Sequence, residues 1–237
     1  MPDSFNFPWH VVCSSGLYVL DLIFPKRCVS CGRLGKYICQ QCLAKIEFTV
    51  HPICPVCSRL SIGGITHPRC QTACGIDGMF ALARYRGPLK DAIHLIKYKF
   101  ISDIAVTLCD IFLEHYPDTL PRFDIYTPVP LHKKREKERG FNQSFLFAEI
   151  LGKKLNIPVE TFLEKTRSTI PQVKLSLTER KKNLRGAFNC FNKNMIKGRV
   201  IGLIDDVATT RSTIIECAKV LKRNGAGKVW GLVLAHG

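Results

Sequence analysis

From residue 76 onward, apolar and polar positions follow two periods in turn. Met79–Tyr85 (MFALARY) is a short apolar run that predicts a strand, closed by the turn Arg86-Gly87-Pro88. From Leu89 the apolar residues Ala92, Ile93, Leu95 and Ile96 keep helical spacing, and Ile104–Phe112 resumes it after a break near Ser102. Asp124–Val129 predicts a strand stopped by Pro130. Phe141–Leu155 predicts a helix that turns Phe145, Ala148, Leu151 and Leu155 inward, and Pro158–Phe162 a short strand. Arg199–Ile204 and Val229–Leu234 are apolar runs of the kind buried on both faces of a parallel sheet, joined by a helix over Thr213–Asn224 that stops at Gly225. Strands alternating with helices predict an α/β fold with a largely parallel sheet and right-handed crossovers.

The first 75 residues lack this pattern and are organised by cysteine instead. Eight of the twelve cysteines lie between Cys28 and Cys74. Cys28 and Cys31, Cys39 and Cys42, and Cys54 and Cys57 form CxxC units, and Cys70 with Cys74 a looser CxxxC. A CxxC turn aims two thiolates at one tetrahedral ion, so the four pairs imply two Zn2+ sites. The sequential assignment is preferred over an interleaved one: Cys28, Cys31, Cys39 and Cys42, then Cys54, Cys57, Cys70 and Cys74. His51 and His67 lie close enough to replace a cysteine, although each quartet is complete without them. The chain therefore divides near Gly75 into a Cys-rich module over 1–75, whose folding energy comes largely from its ions, and an α/β domain over 76–237.

The N-terminal stretch lacks a basic leader region and reads as a short amphipathic helix ending at Pro25. No run approaches the ~20 apolar residues of a membrane span. A soluble, cytoplasmic protein without stable membrane insertion is expected. The formal net charge of +16 is large for 237 residues and points to a polyanionic partner, nucleic acid being the commonest in the cytoplasm.

The chemistry concentrates in VIGLIDDVATTRST, residues 200–213. Ligands of open parallel sheets sit beyond the carboxyl ends of the strands, where Asp205 and Asp206 are expected. The loop Ala208, Thr209, Thr210, Arg211, Ser212, Thr213 leads into a helix N-terminus, whose free N–H groups and dipole favour an anion. Two carboxylates beside a phosphate suit a sugar diol or a shared Mg2+. The segment closely resembles the phosphoribosyl pyrophosphate (PRPP) signature of type I phosphoribosyltransferases, in which the acidic pair contacts ribose hydroxyls and the loop holds the 5′-phosphate.

Further motifs, DIYTPVPLHKKREKERGFNQSFLFAEIL over 124–151 and QVKLSLTERKKNLRGAF over 172–188, resemble those of the ComF competence family, as does the paired-cysteine module. Together they span about residues 20–233 in the family's order, and the chain is identified as a ComF (ComFC-like) protein. The resemblance implies a type I phosphoribosyltransferase-like parallel sheet with an N-terminal double zinc ribbon. It also implies a role in handling imported single-stranded DNA, with PRPP or a related phosphosugar, the DNA-uptake channel and its helicase as partners. Lys133, Lys134, Arg135, Lys137 and Arg139 fall where the phosphoribosyltransferase loop receives pyrophosphate, and Arg139, Asn142 and Gln143 are carried over as polar ligands. Arg180, Lys181, Lys182 and Arg185, in a stretch expected to form a loop or hood, can track a nucleic-acid backbone. Phe141, Phe145 and Tyr98 are the aromatic residues available for stacking on bases, Phe145 being assigned to the core by its helical spacing. Arg211 stands where the family usually has Gly. If the backbone there needs positive φ, Arg costs on the order of 1 kcal/mol or more, unless its guanidinium grips the phosphate directly.

Two other classes of function compete with DNA handling. One is a phosphoribosyltransferase acting on a base or amine with PRPP and Mg2+, Asp205 and Asp206 serving catalysis. The other is a site kept as a sensor of PRPP without turnover.

Overall fold

The computed structural model describes residues 25–99, 102–167, 184 and 186–237. The expected N-terminal helix and the basic residues Arg180, Lys181, Lys182 and Arg185 lie outside them, as does the Tyr98 side chain. The main elements are α1 (Gln40–Leu43), β1 (Gly78–Arg84), α2 (Gly87–Lys99), α3 (Ser102–Glu114), β2 (Ile125–Pro128), α4 (Lys133–Arg139), α5 (Gln143–Leu155), β3 (Leu163–Lys165), β4 (Phe188–Cys190), β5 (Val200–Ala208), α6 (Ser212–Arg223) and β6 (Lys228–His236).

Four strands form one sheet in the order β1-β6-β5-β2, every pair parallel. Alternate residues feed two cores because successive side chains of a strand point to opposite faces. Phe80 and Leu82 of β1 with Trp230, Leu232 and Leu234 of β6 pack beside α2, α3 and α5. Met79, Ala81, Val229 and Val233 face α6 and the antiparallel β3–β4 ribbon. Both faces are thus covered, which explains the near-continuous apolar runs of β1, β5 and β6.

Several expectations about elements are corrected. The run Pro158–Phe162 contributes a single bridge, Val159 to Tyr126, and the strand forms later, at Leu163–Lys165. The basic run 133–139 is a helix: the His132 ring accepts a hydrogen bond from the Lys134 N–H at 3.3 Å, and Gly140 closes the end at φ 80°. Phe145 is 38% exposed, and the core face of α5 is Phe147, Ala148 and Leu151.

The Cys-rich segment is not a free appendage. β1 is an edge strand, and the segment closes that edge through antiparallel bridges Phe48–Ala83 and Ile65–Gly78. Thr49 N donates to Leu82 O at 2.9 Å, Arg84 N to Glu47 O at 3.0 Å and Thr66 N to Asp77 O at 2.8 Å. Gly64 lies so close to β1, at φ 77°, that a Cβ there would collide with the Met79 carbonyl oxygen.

Candidate metal centres and phosphate site

Two groups of metal donors form in sequence order. Cys28, Cys31, Cys39 and Cys42 make the first, with ligand atoms all within 4.8 Å of one another. Burial and the neighbouring sulfurs of Cys28, Cys31 and Cys39 push the Cys42 thiol up to about 12, the behaviour of sulfurs too crowded to ionise together without a cation. A tetrahedral Zn2+ fits this donor set. The second group, within the same 4.8 Å limit, is Cys54, Cys57, His67 and Cys70. It corrects the expected ligand set, because His67 stands in place of Cys74. His67 Nδ1 lies 3.3 Å from Cys57 Sγ, while Nε2 donates to the Leu60 carbonyl at 2.8 Å. That outer hydrogen bond fixes the tautomer and turns the Nδ1 lone pair toward the sulfurs, as metal-ligating histidines require.

At the other site β5 runs on to Ala208, so Asp205 and Asp206 lie within the strand instead of crowning it. Adjacent strand residues face opposite ways, and the two carboxylates acquire different neighbours. Asp205 is 9% exposed; its Oδ1 accepts from Ser144 Oγ at 2.8 Å and from the Asp206 N–H at 2.9 Å. Burial, and then the charge of Asp206, push its carboxyl up to about 8 despite those donors. Asp206 Oδ2 pairs with the ammonium of Lys97 from α2 at 2.5 Å, with side chains 15% and 17% exposed. Lys97 thus supplies a cation beside the acidic pair, for which the sequence suggests a sugar diol or a shared Mg2+. Among the described residues the two clusters above are the groups of three or more metal donors, and the aspartates belong to neither.

The loop Ala208–Thr213 follows directly. Thr209 is exposed, Thr210 and Thr213 are half-buried, and Ser212 is buried with Oγ 3.5 Å from the Thr210 carbonyl. α6 carries no acidic residue in its first turn, and its N-cap residue makes no side-chain cap hydrogen bond. Arg211 adopts φ 58° and ψ −2°, so the loop does need the left-handed conformation, with Arg in place of Gly. Its Nη2 donates to Ser58 Oγ at 2.5 Å, in the turn after Cys57.

Because β2 and β5 are parallel, with Pro128 opposite Ile204, α4 opens from the same sheet edge as the acidic pair. Lys133, Lys134 and Lys137 are exposed there, while Arg135 and Arg139 are half-buried. Arg139 Nη1 donates to Gln143 Oε1 at 3.0 Å, Asn142 Nδ2 to the Val129 carbonyl at 3.0 Å, and the Ser144 N–H to Asn142 Oδ1 at 3.0 Å. Asn142 thus caps α5 and stitches it to the end of β2. Lys165 reaches the same neighbourhood from the β3–β4 ribbon, bridged through its backbone to His132. Burial, then the charge of Arg135, lower its pKa, while Asp205 opposes the shift.

The chain is 32% identical over 219 residues to the DNA utilization protein YhgH of Escherichia coli K12, covering 82% of this chain and 96% of that one. It is 33% identical over 168 residues to Competence protein F of Haemophilus influenzae, covering 67% and 73%. The chain belongs to the ComF competence-protein family. The N-terminal part of this ComF protein, residues 19–75, matches the double zinc ribbon domain family. Among solved structures, the ComF chain resembles glutamine PRPP amidotransferase from B. subtilis, complexed with ADP and GMP, at TM-score 0.34 and 18% identity over 56% of this chain and 25% of that one.

Ser144, Lys165, Ser58 and a pairing role for Lys97 escaped the sequence reading of this ComF chain. Each acts from a segment distant in sequence from the PRPP motif, and no local spacing announces such a contact.

Proposed function

We propose that this ComF-family protein handles single-stranded DNA on the cytoplasmic side of the uptake apparatus and carries a phosphosugar site at the end of β5. The observation that carries this reading is the shared sheet edge: the exposed lysines of α4 stand beside the uncapped N-terminus of α6 and the Asp205–Asp206 pair. The basic surface tracks a phosphodiester backbone, while the loop Ala208–Thr213 takes a terminal or sugar phosphate. A relative covering most of the chain is named a DNA utilization protein, which supports the same reading. No helix among the described residues is long and apolar enough to cross a membrane.

Fluorescence anisotropy with a labelled oligothymidylate tests the DNA reading. If about five phosphates are neutralised, affinity falls about 100-fold between 50 and 200 mM salt, and replacing Lys133, Lys134 and Lys137 by Gln lowers the log–log slope by about 2. Affinity that is flat with salt refutes it.

Phosphoribosyl transfer is the second reading, favoured by one observation. Asp205 is buried beside Ser144, and that burial pushes its carboxyl up, while the neighbouring Asp206 is paired with Lys97, and such divergent environments suit acid–base work. A panel of bases and amines that releases no pyrophosphate from PRPP removes this option.

A further inference from the structure

Two residues other than glycine meet in left-handed backbone where the second ribbon touches the loop before α6. Ser58 has φ 64° and Arg211 φ 58°, and their side chains are joined at 2.5 Å across a sequence separation of 153. Ser58 is held by the turn of the second metal group, since its N–H donates to the Cys54 carbonyl at 3.0 Å and Cys54 N donates to the Arg59 carbonyl at 2.9 Å. At the other end, the Arg211 carbonyl accepts the Ile215 N–H at 2.9 Å, so its backbone starts α6. A left-handed arginine persists only where its surroundings hold it. The ribbon supplies one such contact, through Ser58.

We propose that Arg211 is a positioning residue and not a phosphate ligand: it ties the loop Ala208–Thr213 to the Cys54–Arg59 turn, so that a metal-loaded second ribbon sets the shape of the loop. A glycine at this position would reach the same φ without a tie, and the loop would then be independent of the metal. The consequence for ligand binding rests on the phosphosugar reading above, whereas the tie itself does not.

Hydrogen exchange of the zinc-loaded full chain, read at the amides of residues 209–213, tests the tie. Ser58→Ala and His67→Ala each raise exchange there by about tenfold, with the amides of β5 unchanged. In an Arg211→Gly background neither substitution adds a further increase. Unchanged exchange in Ser58→Ala, or an equal increase with Arg211→Gly already present, overturns the proposal. Ser58→Ala decides alone if His67→Ala also exposes β5. Calorimetry with ribose 5-phosphate on the same proteins separates the two ideas. Weaker binding in Ser58→Ala supports both, whereas no binding by the unsubstituted protein sinks the phosphosugar reading and leaves the exchange result standing.

Discussion

The two ribbons of this molecule use similar donors for different ends. In the first, Cys28, Cys39 and Cys42 are buried and share one core with Ile38, Ile46, Phe80 and Leu89, so the metal group is part of the wall of the α/β domain. In the second, only Cys54 of the donors is buried, and Val50, Leu60 and Ile62 nearby are 77%, 68% and 89% exposed. This ribbon contributes little to the common core and instead touches the sheet edge and the loop Ala208–Thr213 through Gly64 and Ser58. The first donor group thus belongs to the core, and the second lies beside the loop before α6. Beside the ions expected to supply most of the module's folding energy, the first ribbon also draws on apolar burial against the α/β domain.

Cys39→Ser presses hardest on that contrast. It should remove one zinc by elemental analysis and cost about 3 kcal/mol or more, seen as a large fall in Tm, because the lost donor sits in the core. His67→Ala should also remove one zinc but lower Tm much less. Equal falls would show that the ribbons are equivalent.

Next in size is Lys97→Met, which leaves Asp206 enclosed without its counter-ion and should cost about 2–4 kcal/mol in chemical denaturation. Adding Asp206→Asn should recover most of this, and failure to recover it would place the role of Lys97 in packing. Gly64→Ala should cost about 2 kcal/mol, from its positive φ and its approach to the β1 backbone. A neutral result would detach the second ribbon from the sheet edge.

The gentlest probe is a slope. Burial, and then the charge of Asp206, raise the Asp205 carboxyl to about 8 in the fold, well above the usual aspartate range, so the folded state holds a proton that the unfolded chain releases. Its contribution is fully present below about pH 4 and is lost as pH rises through about 8. Asp205→Asn should therefore gain on the unsubstituted protein as pH climbs from about 5 to 8, followed by Tm. A constant gap would show that Asp205 is ionised throughout.

What the sequence made legible follows from the same physics. β1, β5 and β6 were readable because strands buried on both faces are apolar throughout. The three-residue β3 and β4 are too short to show a period, and Lys133–Arg139, with no apolar face, read as a loop until its caps were seen. Phe145 was misphased because α5 begins at Gln143 and turns Phe147 to the core. The cysteine spacing announced two metal groups, but not that a histidine with an outer hydrogen bond to Leu60 would displace Cys74. The acidic pair and the loop were recognisable as a motif. Their partners Ser144, Lys97 and Ser58 were not, since each is brought in by tertiary folding from a separate element.

Calorimetric titration of the zinc-loaded protein with ribose 5-phosphate, beside a Thr209→Glu variant, addresses the phosphosugar site most directly. Thr209 is exposed, so the substitution adds a carboxylate at the mouth of the α6 N-terminus without disturbing the core. Saturable binding at one site, weakened at least about tenfold by Thr209→Glu, is the expected result. No binding, or binding that Thr209→Glu leaves unchanged, would contradict the placement of the phosphate at the start of α6.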